Sequence, residues 1–292
     1  MNPEPGAPAP ALLAEARRYD PERTLCLLFA PAERRSELAA LVLLNHELAR
    51  VAEIVRQPLT RAIRLRFWRD QLALAAGGGR PDLPIARALA PALRDGRLTL
   101  AELEALIEAR ERELDALLDP AADPGGSPPT VETIEAWVRA TAGGLARAMG
   151  RLLEAPDREL AAAEEAGTAH GLVGIVRATF AEAGRSRRPV TRSLLELAEL
   201  RSGQEWDEAS RVRLRALAEP FLARAAVSIA AARRAGRSAD RARLAPLLLA
   251  TIAETRLRRL RRLGRDPLRA AEAPRSPLLP IRLLLAWAAG RP

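Results

Sequence analysis

Apolar residues recur at helical spacing along most of the chain, and they never alternate with polar residues over the length of a strand. Steps of three and four residues place side chains on one face of an α-helix. Two such stripes are Leu41, Leu44, Leu48, Val51, Val55 and Ile134, Val138, Ala142, Leu145, Met149. Thr99 and Glu102 have the spacing of a capping box ahead of an amphipathic run to about Leu118. The pattern predicts about ten helices and no sheet.

Segments rich in Pro and Gly mark the predicted breaks between helices. The longest break is residues 119–130, and shorter ones fall near residues 77–81, 184–189, 236–238 and 264–267. Because helical runs of similar composition lie on both sides of residues 119–130, we interpret that break as a surface excursion within one bundle. We therefore expect a flexible Pro-rich tail over residues 1–10 and a single all-α domain over residues 11–292.

The charge of the chain favours an anionic partner. All 46 basic residues are Arg, and with 37 acidic residues the formal net charge is +9. Such a balance attracts anionic lipid, diphosphate or nucleic acid. Nucleic acid is not expected, because the sequence has no recognised binding motif and no aromatic residues interleaved with the Arg clusters. The one cysteine, Cys26, excludes an intramolecular disulfide, and with two His it cannot complete a closed zinc site.

The sequence predicts no membrane span, since no apolar run approaches the roughly 18 residues that a span needs. The first ten residues lack the cationic and apolar regions of a signal peptide. We therefore expect a cytoplasmic protein, with a peripheral position at the inner membrane as an open alternative. Residues Arg256–Arg265 alternate Arg with Leu257, Leu260 and Leu263, which predicts an amphipathic helix. Its basic face is either solvated or in contact with an anionic membrane surface.

Several segments together resemble one protein family. They are Tyr19-Asp20-Pro21-Glu22-Arg23, residues 27–35, residues 40–51, residues 63–70 and, as a second signature, Gly171-Leu172-Val173-Gly174-Ile175-Val176-Arg177-Ala178. Their order resembles the squalene/phytoene synthases, whose members join two prenyl diphosphates. The resemblance runs from about Tyr19 to Trp287 and is specific in these segments only. It implies an isoprenoid-synthase-like helical bundle.

In that family, Asp-rich helices face each other across a cavity and hold magnesium ions, which bind the substrate diphosphates. By resemblance, the first Asp positions correspond here to Ala49, Arg50 and Glu53, and the second to Ala178 and Glu182. Only Glu53 and Glu182 could ligate a metal, so we expect no cofactor unless the chain is catalytic and uses Mg²⁺. The sequence is similar to a degenerate branch of the family that resembles mitochondrial complex I assembly factors. Members of that branch share the Asn-x-Glu-Leu segment, here Asn45-His46-Glu47-Leu48.

Two features near these segments have open alternatives. Arg50 either forms a local ion pair with Glu53 or supplies a fixed positive charge to a diphosphate or phospholipid headgroup. Gly167, Gly171, Gly174 and Ala178 share one helix face, which suits either a close helix contact or a cavity for an apolar chain. The candidate ligand-binding residues are Asn45, His46, Arg50, Gly171, Gly174, Arg177 and Arg185.

Three functions remain in competition. The first is a non-catalytic assembly or lipid-binding factor for respiratory complex I at the inner membrane. The second is an active head-to-head prenyl diphosphate synthase. The third is a helical lipid-binding scaffold unrelated to respiration. The partners that these functions imply are a prenyl diphosphate or other anionic lipid, a membrane surface and a protein partner.

Overall fold

The computed structural model describes residues 9–54, 57–118, 130–181, 194–195, 198, 200, 207–262 and 276–292. Every regular element in these ranges is helical, and none is a strand. The helices are α1 Ala9–Tyr19, α2 Pro21–Leu27, α3 Arg35–Ile54, α4 Pro58–Ala76, α5 Pro84–Arg94, α6 Leu100–Leu118, α7 Val131–Val138, α8 Gly144–Leu152, α9 Asp157–Ala181, α10 Glu208–Ala235, α11 Leu249–Arg262 and α12 Leu279–Ala288. A π-helical segment, Arg139–Gly143, joins α7 to α8.

The predicted all-α architecture is confirmed, and its boundaries follow the sequence signals where these can be compared. α4 ends at Ala76 and α5 begins at Pro84, on either side of the predicted break at residues 77–81. α1 begins at Ala9, and the rest of the predicted tail, residues 1–8, lies outside the described residues. Most of the predicted excursion, residues 119–129, also lies outside them. No helix in the described ranges is long and apolar enough to span a membrane.

Side chains at the helix N-termini satisfy backbone N–H groups that have no partner within the helix. The predicted capping box forms in both directions. The Thr99 backbone N–H donates to Glu102 Oε2 at 2.9 Å, and the Glu102 N–H donates to Thr99 Oγ1 at 3.2 Å. Asp207 accepts from the Ser210 N–H at 2.8 Å and caps α10 in the same way. Local residue order therefore determines where these helices begin.

α9 lies between two of the three hydrophobic clusters that the described residues form. Its residues Leu172 and Val173 pack in a cluster with side chains of α7, α10 and α11. Its residues Ala162 and Ala166 pack in another cluster, which includes α12 and the fully buried Cys26. The predicted stripe on α3 is buried from Leu41 to Val51 in the third cluster, whereas Val55 is outside the described residues. α9 therefore joins two parts of the core.

The small-residue stripe on α9 meets different surroundings along its length. A Cβ atom added at Gly167 would lie 2.4 Å from the Ala142 carbonyl oxygen, and one at Gly171 would lie 2.6 Å from Val138 Cγ1. A Cβ at Gly174 would have no neighbour within 4 Å. Close helix contact therefore explains Gly167 and Gly171, whereas Gly174 faces open space.

We predict that Gly167→Ala and Gly174→Ala change stability in opposite directions. Gly167→Ala brings a methyl group against a backbone oxygen that a rotamer change cannot move, so it should cost about 1–3 kcal/mol. Gly174→Ala has room for the methyl group and should stabilise the helix by up to about 1 kcal/mol. Denaturant unfolding of the two variants beside the parent measures both changes. Equal effects of the two substitutions would contradict the close approach of α9 to the π segment.

Candidate functional site

Asn45 connects the first signature segment, on α3, to α6 and α7. Its Oδ1 atom accepts a hydrogen bond from Arg110 Nη2 at 3.3 Å. The guanidinium carbon of Arg110 lies 5.3 Å from the ring centroid of Trp137. A guanidinium over an indole face is a favourable cation–π contact. The predicted ligand residue Asn45 is therefore engaged by the protein itself, through two residues that sequence analysis did not identify as site residues.

His46 and Arg50 also have partners within the protein. The His46 ring stacks on Tyr19, with 4.1 Å between ring centroids. Arg50 Nη1 lies 3.2 Å from Glu47 Oε1, and both side chains are partly exposed. The described ion partner of Arg50 is therefore Glu47, one turn earlier on α3. The side chain of Glu53, the partner we expected, lies outside the described residues.

The described part of the first segment does not fit a magnesium cluster. Magnesium prefers hard oxygen ligands such as carboxylates. Ala49 offers no side-chain oxygen, the Arg50 guanidinium is itself a cation, and the carboxylate of Glu47 is paired with Arg50. Within the described ranges, no group of three or more His, Cys, Asp or Glu could hold a metal ion. The two candidate ligands, the Glu53 side chain and Glu182, lie outside those ranges.

The second signature segment lies on α9 and packs against the same part of the chain as the first. Gly171 faces Val138 and Ala142 at the junction of α7 with the π segment. Ala178 is half-buried and Arg177 is exposed, while the predicted ligand residue Arg185 lies outside the described residues. Trp137, through Arg110, contacts α3, and the adjacent Val138 contacts α9. The end of α7 thus lies between the two signature segments.

A buried cluster of charged residues joins α2, α9 and α11, and sequence analysis missed it. Glu22 accepts a hydrogen bond from Arg256, and its Oε2 atom lies 3.8 Å from His170 Nε2. On the other side of the imidazole, His170 Nδ1 lies 3.5 Å from Arg23 Nη2. Arg23 also pairs with Asp20, which caps α2. The cluster links the three helices through a buried ion pair between α2 and α11 and through polar contacts of the His170 ring on α9.

The charges in this cluster shift the pKa values of its members. Burial alone would raise the pKa of Glu22, but the contact with His170 and the charge of Arg256 lower it to about 2. Burial lowers the pKa of His170, and the nearby Arg23 and Arg256 lower it further, against the opposing effect of Glu22. The imidazole is therefore neutral at neutral pH, and Glu22 is ionised.

Both the sequence and the fold have counterparts among known proteins. The profile of the squalene/phytoene synthase family matches residues 16–281. The chain belongs to that family. Among solved structures, a dehydrosqualene synthase in complex with a ligand superimposes with a TM-score of 0.70 at 18% identity, covering 96% of this chain and 95% of the other. YisP from Bacillus subtilis superimposes with a TM-score of 0.54 at 13% identity, covering 95% and 98%. The predicted isoprenoid-synthase fold is confirmed.

The relatives that resemble this chain in sequence are named as assembly factors rather than as synthases. A bovine protein named NADH dehydrogenase (ubiquinone) complex I, assembly factor 6 is 35% identical over 99 residues, which is 34% of this chain and 30% of the relative. The mouse protein of the same name is 31% identical over 178 residues, 60% of this chain and 51% of the relative. The chain thus spans about half or less of the length of these relatives.

The predicted basic strip of this squalene/phytoene synthase family member needs one correction. Leu257 and Leu260 are buried and Arg261 and Arg262 are exposed, so the predicted amphipathic pattern is confirmed over the described part of the strip. Arg256 points inward instead and pairs with the buried Glu22. Its place on the helix explains this, because Ile252 and Leu260, four residues away on either side, are both buried. Residues 263–265 of the strip lie outside the described residues.

We predict that acid destabilises the protein through this cluster. The lowered pKa of Glu22 means that the folded state binds fewer protons than the unfolded state, so stability is lost as pH falls from about 4.5 towards about 2. Glu22→Gln should flatten the dependence of stability on pH in that window. It should also cost about 3 kcal/mol at neutral pH, because Arg256 loses its buried partner.

Denaturant unfolding across that pH range measures both effects. The control is Glu208→Gln, which removes an exposed carboxylate near Arg211 and Arg215 and should leave the slope as in the parent. An unchanged slope in Glu22→Gln would contradict the electrostatic coupling of Glu22 to Arg256.

Proposed function

We propose that this chain is a non-catalytic member of the squalene/phytoene synthase family that assists the assembly of respiratory complex I at a membrane. The ion pair between Arg50 and Glu47 carries the proposal. By resemblance, Arg50 stands where a synthase has an Asp of its first magnesium motif. A guanidinium there cannot ligate a metal, and it also occupies the neighbouring carboxylate at 3.2 Å.

The neighbouring position strengthens the argument. Ala49 has no side-chain ligand atom. By resemblance, this chain therefore lacks both of the adjacent Asp ligands that a synthase has in that motif. Releasing a diphosphate requires cations that neutralise the developing charge, and these cations need several carboxylates to hold them. Asn45 accepts a hydrogen bond from Arg110, and the His46 ring stacks on Tyr19. The described side chains of α3 thus supply a packed polar contact rather than a metal site.

The role in assembly comes from the relatives. Proteins from cow, human, mouse and rat that match this chain bear the name complex I assembly factor 6. We extend that role to this chain, since they share the family and the Asn-x-Glu-Leu segment is intact in it. Such a role requires a protein partner, and we propose that the chain meets that partner at the inner membrane.

The direct test is deletion of the gene in its own organism. We predict that the deletion strain loses assembled complex I and NADH:ubiquinone oxidoreductase activity, and that expression of the chain from a plasmid restores both. The contents of squalene and carotenoid should stay at parental levels. Normal complex I in the deletion strain would overturn the proposal in favour of a lipid-binding scaffold unrelated to respiration.

Purified protein tests the catalytic alternative, an active head-to-head prenyl diphosphate synthase. We predict no condensed product above a heat-killed control after incubation with farnesyl or geranylgeranyl diphosphate, magnesium and NADPH. A condensed product would show that a magnesium site survives and that the chain is an enzyme.

Thermal unfolding gives a second measure of the metal site. A ligand that binds only the folded state adds about 2.7 kcal/mol of stability at 100 times its dissociation constant. We predict that magnesium with a prenyl diphosphate gives no magnesium-dependent rise in melting temperature. The control variant is Glu53→Ala, because a rise that disappears in this variant would identify Glu53 as a metal ligand and contradict the proposal.

A further inference from the structure

An arginine-rich pocket lies between the C-terminal part of α10, α11 and α12. Its volume is about 860 Å³. Five of the side chains that line it are cationic and one, Glu254, is anionic; the cations are Arg233, Arg237, Arg258, Arg282 and Arg291. The lining thus has a clear excess of positive charge, which favours an anionic ligand.

Glu254 holds two of the five arginines in place. Arg233 donates to both oxygens of Glu254, at 2.6 and 2.8 Å, and Arg258 Nη2 lies 2.9 Å from Glu254 Oε1. These arginines keep the pKa of Glu254 below its usual value although burial opposes the shift. The carboxylate is therefore charged, and its negative charge is shared between Arg233 and Arg258.

The other three arginines are not neutralised by carboxylates of the described chain. Arg282 Nη1 donates to the Thr255 hydroxyl oxygen at 3.4 Å, a neutral partner. Arg237 and Arg291 are exposed and have no carboxylate partner among the described residues. Guanidinium groups bind phosphate oxygens with paired N–H donors. The pocket therefore presents three cations suited to a phosphate group.

An exposed apolar face formed by α12 and its N-cap residue, Leu278, adjoins the pocket. Leu278 is 53% exposed, Ile281 54%, Leu284 51% and Leu285 63%. Their spacing places them on one side of the helix, while Leu279 and Leu283 pack into the core on the other side. Leu285 belongs to both features, since it also lines the pocket. A row of exposed aliphatic side chains beside a cationic pocket is the composition of a helix that lies in a membrane interface.

We propose that α12 and the pocket together form a docking surface for a bilayer that contains anionic phospholipid. Leu278, Ile281, Leu284 and Leu285 enter the boundary between headgroups and acyl chains. Arg237, Arg282 and Arg291 bind lipid phosphates at the same depth. This surface deepens the proposed function, since it names how the chain meets the membrane. It replaces the strip Arg256–Arg265 as the main contact, because Arg256 is engaged in the core and Arg258 with Glu254.

The test is cosedimentation of the purified full chain with vesicles. One vesicle is pure phosphatidylcholine, and in the other a quarter of the lipid is phosphatidylglycerol. We expect binding to the anionic vesicle, weak binding to the neutral one, and release by high salt. An arginine near an anionic surface contributes about 1 kcal/mol, so Arg237→Gln with Arg291→Gln should weaken the partition coefficient about 30-fold.

A control with the same loss of charge distinguishes the pocket from general basicity. Arg261→Gln with Arg262→Gln removes two exposed arginines of α11 that do not line the pocket and should change binding by less than about threefold. If both double variants lose binding equally, the positive charge acts without a site and the proposal is wrong. Circular dichroism confirms that each variant keeps its helices.

The apolar half of the surface has its own matched pair. Leu284→Gln with Leu285→Gln should weaken binding at least about tenfold, because burying each leucine in an apolar environment is favourable. Ile63→Gln with Phe67→Gln changes two exposed apolar residues on α4, which are 59% and 44% exposed, and should leave binding unchanged. Equal losses in the two pairs would overturn the assignment to α12.

Inorganic phosphate distinguishes a lipid surface from a site for a soluble anion. If phosphate stabilises the parent against heat but not Arg237→Gln with Arg291→Gln, while neither vesicle sediments the protein, the pocket binds a soluble anion and the membrane proposal fails. None of these measurements depends on complex I. Vesicle binding together with normal complex I in a deletion strain would therefore reject the assembly role and leave the docking surface intact.

Discussion

The close passage of α9 over the end of α7 and the π segment is the contact on which the rest of the bundle depends. At Gly167 the α9 backbone leaves no room for a Cβ atom, because the Ala142 carbonyl oxygen lies in the way. A glycine within a helix costs about 1 kcal/mol relative to alanine, and the packing of both neighbouring clusters offsets that cost. α9 carries the second signature segment, and α7 is tied to the first through Trp137 and Arg110. The spacing of these helices therefore fixes both segments.

How much of this could be predicted depends on whether an interaction is local. Helix periodicity and the Thr99–Glu102 capping box involve residues within one or two turns, and the sequence analysis identified both correctly. The buried cluster joins Glu22 to His170 and to Arg256, residues that are far apart in the chain. Such contacts depend on the packing of whole helices, which residue order in one chain does not reveal.

A local signal for the buried polar residues was nevertheless present. Arg256 stands four residues from both Ile252 and Leu260, and His170 stands four residues after Ala166 and three before Val173. All four of these apolar neighbours are buried. A polar residue within an apolar stripe either interrupts the core or is paired inside it. The density of Arg around residues 256–265 concealed that signal, because an arginine in a basic run suggests a solvated face.

The balance of charge differs between the first signature segment on α3 and the pocket between α10, α11 and α12. At the first signature segment the positive charge of Arg50 is balanced by Glu47 at 3.2 Å, so little attraction remains there for a diphosphate. At the α10–α12 end, five arginine side chains and one acidic side chain line the pocket, and three of these arginines have no carboxylate side-chain partner among the described residues. Binding of an anion is strongest where cations lack partners and the surroundings exclude part of the water. In this member of the family, the described residues therefore favour an anion at the end of the bundle over one beside α3, where a synthase would hold its substrate.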